Sequence, residues 1–109
     1  MTPVWYHVRD LQSGRAFYTS TLGFTETYVD PDGGWVKLER GAMEIGLAEG
    51  EPEADGPVAH VDVEDVKAVA ETLRDASVEV GVVFELHGQM RLLDVFDPDG
   101  NRLQFAQEL

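Results

Sequence analysis

The stretch Val58-Ala59-His60-Val61-Asp62-Val63-Glu64-Asp65-Val66 decides the fold, because Val4-Trp5-Tyr6-His7-Val8-Arg9-Asp10-Leu11 carries the same plan near the start of the chain. In both, a run rich in β-branched and aromatic residues is closed by an aspartate, behind which the pattern turns helical. The two aspartates are 65 − 10 = 55 positions apart. Gly23-Phe24 matches Ser77-Val78 at an offset of 77 − 23 = 54, and Met43-Glu44 matches Leu103-Gln104 at 103 − 43 = 60. The chain therefore reads as an internal duplication with a longer third connection in its second half.

Outward from these anchors, the first half predicts a strand over 4–8 and a helix over 13–22, with Ser13 as N-cap and Gly23 as a left-handed C-cap. Strands follow over 24–29, 34–39 and 43–48, the first two joined by the turn Asp30-Pro31-Asp32-Gly33. The second half predicts a strand over 58–63, a helix from Asp65 to Ala76, and strands over 80–86, 90–96 and 101–106, the last entered through Asp97-Pro98-Asp99-Gly100. The fold class is α+β: two βαβββ modules, 1–48 and 58–109, joined by an acidic Gly/Pro linker over 49–57. Neither small sheet can bury both faces alone, so the modules must pair, within one chain or across a dimer, as one domain.

Composition bounds the partners. Eight Lys and Arg against 21 Asp and Glu give 8 − 21 = −13 across 109 residues. Such a surface repels phosphate backbones, which argues against nucleic acid, and it attracts cations. The same carboxylates also serve simply to keep the chain soluble. A hydrophobic content of 43% excludes a disordered acidic tail. No apolar run approaches the roughly 20 residues of a membrane span. The start lacks a basic region followed by an apolar stretch, so no signal peptide is expected. The chain has no cysteine, which removes disulfides and thiolate chemistry and is compatible with the expected cytoplasmic location.

Val8-Arg9-Asp10-Leu11, Phe17-Tyr18 and Leu22-Gly23-Phe24 resemble the opening of the vicinal oxygen chelate superfamily, which includes glyoxalase I, extradiol dioxygenases and bleomycin-resistance proteins. Asp97-Pro98-Asp99-Gly100-Asn101-Arg102-Leu103-Gln104-Phe105 resembles its closing motif. The stretch from Gly34 to Gly41, Met43-Glu44-Ile45, and the tail Phe105-Ala106-Gln107-Glu108-Leu109 look closest to the bleomycin-resistance branch. The resemblance implies that the modules pair into a curved mixed sheet forming a cup, with helices on the outer face and a ligand pocket inside. It also implies a homodimer.

The resemblance further implies four metal-ligand positions, two on the first strand of each module, seven residues before the helix-opening Asp, and two on each last strand. Here these are Pro3, Val58, Glu44 and Gln104. Proline and valine side chains donate no lone pair, and glutamine is a weak ligand, so no metal and no catalytic residue are expected. Strand alternation puts Trp5 and His7 on one face, and His60 and Asp62 on one face. The histidines are displaced from the ligand slots by one or two steps of roughly 6.6 Å, against metal–nitrogen bonds of about 2 Å. A displaced metal site would have to be built from His7, Glu44 and His60, with Asp62 or Gln104.

The expected ligand-binding set is Trp5, His7, Trp35, Glu44, His60, Asp62 and Gln104. Trp5 supplies an aromatic wall, the parity of Trp35 is ambiguous between pocket and core, and the carboxylates make the pocket negative. The function these residues support is metal-independent sequestration of a cationic or aromatic small molecule, as in antibiotic resistance by capture. The alternative is a glyoxalase/lyase- or dioxygenase-type enzyme carrying a divalent ion such as Zn, Ni, Mn or Fe in the displaced site.

Overall fold

The computed structural model describes residues 3–109; Met1 and Thr2, at the head of the first module, lie outside the described residues. The chain runs β1 (Val4–Val8), α1 (Leu11–Ala16), a π-helical segment (Phe17–Thr21), β2 (Thr25–Val29), β3 (Trp35–Arg40), β4 (Met43–Glu49), β5 (Ala59–Asp62), α2 (Val66–Asp75), β6 (Phe84–Leu86), β7 (Met90–Phe96) and β8 (Arg102–Glu108). The strands form two four-stranded mixed sheets of equivalent order, β1-β4-β3-β2 and β5-β8-β7-β6. In each, the first strand pairs parallel with the last and the other pairs are antiparallel. The duplicated two-module α+β plan is therefore the fold.

The first helix opens earlier than its sequence suggests. Asp10, not Ser13, is the N-cap: its backbone is extended and its carboxylate accepts the amides of Gln12 and Ser13. Ser13 lies inside α1. Asp65 does the same for α2 through the Ala68 amide. Past Ala16 the helix widens, and Leu22 N–H reaches back five residues to the Phe17 carbonyl. The wider turn seats Tyr18 in the core while Phe17 keeps partial exposure. Gly23 then takes φ +76° to end the segment.

The expected strand over 80–86 is reduced to Phe84–Leu86. Val80 makes a single bridge to Val95, Gly81 donates to the Asp94 carbonyl, and Val82 stands 80% exposed where the chain leaves the sheet.

One face of each sheet turns inward. Tyr6, Val8, Val36, Leu38, Ile45 and Leu47 from the first and Ala59, Val61, Leu93, Val95, Leu103 and Phe105 from the second join one hydrophobic core with the helices. α1 lies close enough that a Cβ on Gly14 would stand 3.0 Å from Val8 Cγ2. Arg15 ties α1 to β2 by a two-pronged pair with Glu26, at 2.6 and 2.9 Å, which holds the Glu26 carboxyl below its usual range.

The modules are clasped by polar groups. Tyr6 Oη donates to the Arg102 carbonyl at 2.6 Å and accepts from the Ala59 amide at 2.8 Å. Tyr18 Oη donates to Asp97 Oδ2 at 2.8 Å, and Asn101 Nδ2 donates to the His7 carbonyl at 2.8 Å. The turn after β7 is therefore a docking point for the first module as well as a turn. Burial pushes the Tyr6 hydroxyl up to about 12, and burial with the adjacent Asp97 carboxylate pushes Tyr18 up as well.

Candidate functional site

The opposite face of each sheet carries the predicted residues. Pairing of Trp5 with Gly46 and of His7 with Ala48, and of β4 with β3 through Trp35–Ala48 and Lys37–Gly46, places Trp5, His7, Trp35, Lys37 and Glu44 on the open face of the first sheet. His60 pairs with Gln104 and Asp62 with Ala106, while Gln104 pairs with Asp94 and Ala106 with Leu92, so His60, Asp62 and Gln104 share the open face of the second sheet.

The centre of the first face is aromatic. Trp5 meets Trp35 edge-on at 5.6 Å, and Trp35 stacks on Tyr28 at 5.1 Å. Trp5 lies flat over Gly46, where any Cβ would fall 2.4 to 2.6 Å from the indole carbons. Only glycine allows that seat. Trp5 and Tyr28 stay 37% and 48% exposed, so the cluster leaves aromatic surface open to solvent. The ambiguous parity of Trp35 is settled toward the open face.

Tyr28 was missed by sequence reasoning. A bulge between Glu26 and Tyr28 shifts the register, so Tyr28 faces Lys37 on the open side while Glu26 points to α1. Strict alternation cannot reveal such a switch.

His7 sits on the expected face, but its ring is drawn toward the linker. Its Cδ2 lies 3.1 Å from where a Gly50 Cβ would stand, and its Nδ1 is 3.9 Å from Glu53 Oε1. On the second face Gln104 Nε2 donates to Asp94 Oδ1 at 3.3 Å, and Arg102 Nη1 lies 3.6 Å from Asp94 Oδ2. Asp94 is thus a second missed residue; its partly buried carboxylate anchors Gln104. Phe84 and Leu86 are exposed on this same face, which Leu92 and Ala106 floor. Asp62 borders a cavity of about 440 Å³ with Val63, Glu64, Ala106 and Glu108.

The sequence offset of 60 pairs Glu44 with Gln104 as equivalents. Strand pairing gives another match: Gly46 stands beside Trp5 where Gln104 stands beside His60, an offset of 104 − 46 = 58. Glu44 and Gln104 therefore do not occupy matching rows.

Among the described residues the displaced ion site is not formed within one chain. Among the described residues no three His, Asp or Glu side chains gather closely enough to hold a metal. His7 and Glu44 belong to one sheet and His60 to the other. The donor set, one carboxylate from Glu44 and one amide from Gln104 beside Pro3 and Val58, does not fit the family's ion. Among the described residues no helix is long and apolar enough to cross a membrane.

Comparison with known structures places this fold. An integron cassette protein from the mobile metagenome of Halifax Harbour sewage outfall is 23% identical, with 98% of this chain and 97% of that one covered at a TM-score of 0.84. A bleomycin-binding protein from Streptomyces verticillus, complexed with copper(II)-bleomycin, is 24% identical over 99% and 95% of the two chains, with a TM-score of 0.74. A lactoylglutathione lyase from Agrobacterium tumefaciens is 16% identical over 98% and 92%, with a TM-score of 0.78. A binder and a lyase thus share the architecture, so the architecture does not choose between them. No curated protein matches the sequence. The family model described as Glyoxalase/Bleomycin resistance protein/Dioxygenase superfamily matches residues 3–105, nearly the whole length, and with the duplicated βαβββ modules this establishes that the chain belongs to that superfamily.

Proposed function

We propose that the protein captures a flat, cationic or aromatic small molecule and releases it chemically unchanged. The observation that carries this reading is the exposed Trp5–Trp35–Tyr28 platform seated on Gly46. Stacking on such rings gives contact area, and the ring faces attract positive charge. Glu44, Asp62 and the net charge of −13 add a field that favours a cation. The ligand positions of the superfamily's enzymes hold Pro3 and Val58, which supports binding over metal-dependent turnover.

The two half-sites lie on separate sheets, each with exposed large apolar side chains: Trp5 and Tyr28 on one, Phe84 and Leu86 on the other. A homodimer in which the first sheet of one copy faces the second sheet of its partner would close the cup. This arrangement accounts for a single chain that leaves its aromatic platform open.

Equilibrium dialysis against bleomycin and against the planar cationic dye acriflavine tests the reading. Saturable binding of at least one, one molecule per chain, with the compound recovered unchanged by mass spectrometry, is expected. Catalysed conversion that a chelator abolishes and Mn²⁺, Ni²⁺ or Zn²⁺ restores would overturn it.

A further inference from the structure

Away from the open faces, the two modules border an open groove of about 400 Å³ on the helix side. Leu22, Gly23 and Arg40 border it from the first module, and Val69, Thr72 and Phe105 from the second. Phe105 belongs to the core-facing side of β8, opposite to Gln104, so this groove is distinct from the aromatic platform. Its size lies within the range of small-molecule sites.

Arg40 is the unusual member. The protein has 21 side-chain carboxylates, and Arg9, Arg15, Arg91 and Arg102 each have one within 4.0 Å, while the exposed Arg74 donates to the Gly81 carbonyl. Arg40, half-buried, forms no ion pair among the described residues. Its Nη1 donates to the Leu22 carbonyl at 2.7 Å, and its guanidinium carbon lies 5.2 Å from the Phe105 ring centroid. Loss of water around it depresses its pKa, yet an arginine stays charged at neutral pH. A guanidinium has five donors in a planar fork, of which the Leu22 carbonyl takes one. The fork matches a carboxylate two-pronged, and such a pair strengthens where water is thin.

We infer that this inter-module groove is a second ligand site, for a small organic carboxylate with a planar apolar body, whose head pairs with Arg40 and whose body lies against Ala68, Val69 and the methyl group of Thr72, above the buried Leu22 and Phe105. The hydroxyls of Ser20, Thr21 and Thr72 at the border offer further donors to the head. The general negative field opposes anions at long range, but at physiological salt it is screened beyond about 8 Å, so the local pair dominates. A ligand here touches both modules and stabilises their docking by mass action.

The test uses 2-naphthoate as probe, with neutral 2-naphthamide as control, followed by amide and side-chain NMR on the full chain. Expected is saturable 1:1 binding of naphthoate at least tenfold tighter than the amide. Shifts should concentrate at Gly23, Val69, Thr72 and the Arg40 Nε–H, while the Trp5 and Trp35 indole N–H signals stay still. Arg40→Gln should weaken naphthoate at least tenfold. Ala68→Phe, an exposed position at the groove's edge, should block the site with Arg40 left in place. Equal affinity for acid and amide, or no shift at these positions at saturating probe in the folded protein, would overturn the inference. Because the indoles report the platform separately, either site stands or falls without the other.

Discussion

Gly46 and Trp5 form the tightest contact on the open face of the first sheet. An alanine methyl at position 46 has no room beneath the indole, since its Cβ would sit 2.4 Å from Trp5 Cε3. The indole must lift, and its edge contact with Trp35 is lost with it. Gly46→Ala should therefore cost about 1–3 kcal/mol, typical of overpacking, and flatten the near-ultraviolet circular dichroism of the tryptophan pair. An unchanged near-ultraviolet spectrum would show that Trp5 does not lie where described. The tyrosines make a second case. Tyr6 is neutral and hydrogen-bonded in the fold, with a pKa of about 12 against the ordinary 10.0. A raised folded pKa means stability that is fully present below pH 10 and is lost as pH climbs toward 12, worth about 2–3 kcal/mol. Urea midpoints should hold up to about pH 9 and fall steeply above pH 10. Tyr6→Phe should lose about 1–3 kcal/mol at neutral pH, because the buried Ala59 amide loses its acceptor, and should show a shallower alkaline decline.

At the scale of elements, duplication made most of the fold legible. Alternation and turn chemistry fix every strand except β6 to within a residue or two, and the offset of 55 between Asp10 and Asp65 carries the signal that the first helix is also capped by aspartate. What alternation hides is any element that breaks its own period: the bulge in β2 that turns Tyr28 outward, the π-helical turn that buries Tyr18, and the departure of the chain from the sheet at Gly81 and Val82. The repeat also exposes a weak point. Gly23 and Ser77 end equivalent helical segments, and both have positive φ, +76° and +64°. Around Ser77 the amides of Ser77 and Val78 return to the Arg74 and Leu73 carbonyls, the hydrogen-bond pattern of a helix that ends in a left-handed residue. Serine pays about 1 kcal/mol for that conformation, and glycine does not. Ser77→Gly should raise the melting temperature by a few degrees, the equivalent of about 0.5–1 kcal/mol in a domain of this size. A fall in melting temperature would mean that the turn relaxes away from that geometry in solution.

For the whole molecule, the candidate site was legible as a pair of faces and illegible as a pocket. Parity along β1 and β5 was enough to send Trp5, His7, His60 and Asp62 to the open sides. It says nothing of the direction a ring takes once there, and His7 bends to Gly50 and Glu53 in the linker. Nor does the sequence of one chain reveal that its two half-sites lie on separate sheets in a body of 46 × 29 × 25 Å. We propose that the open aromatic face of the first sheet receives the guest. Both tryptophans of the chain, Trp5 and Trp35, lie on that face, so their intrinsic fluorescence watches this surface and no other. Titration of the protein with acriflavine should quench this emission in a saturable way with one dye per chain, and Trp5→Leu should weaken the binding at least tenfold. Stoichiometric dye binding that leaves the tryptophan emission untouched, or that survives Trp5→Leu at full strength, would show that the guest binds elsewhere.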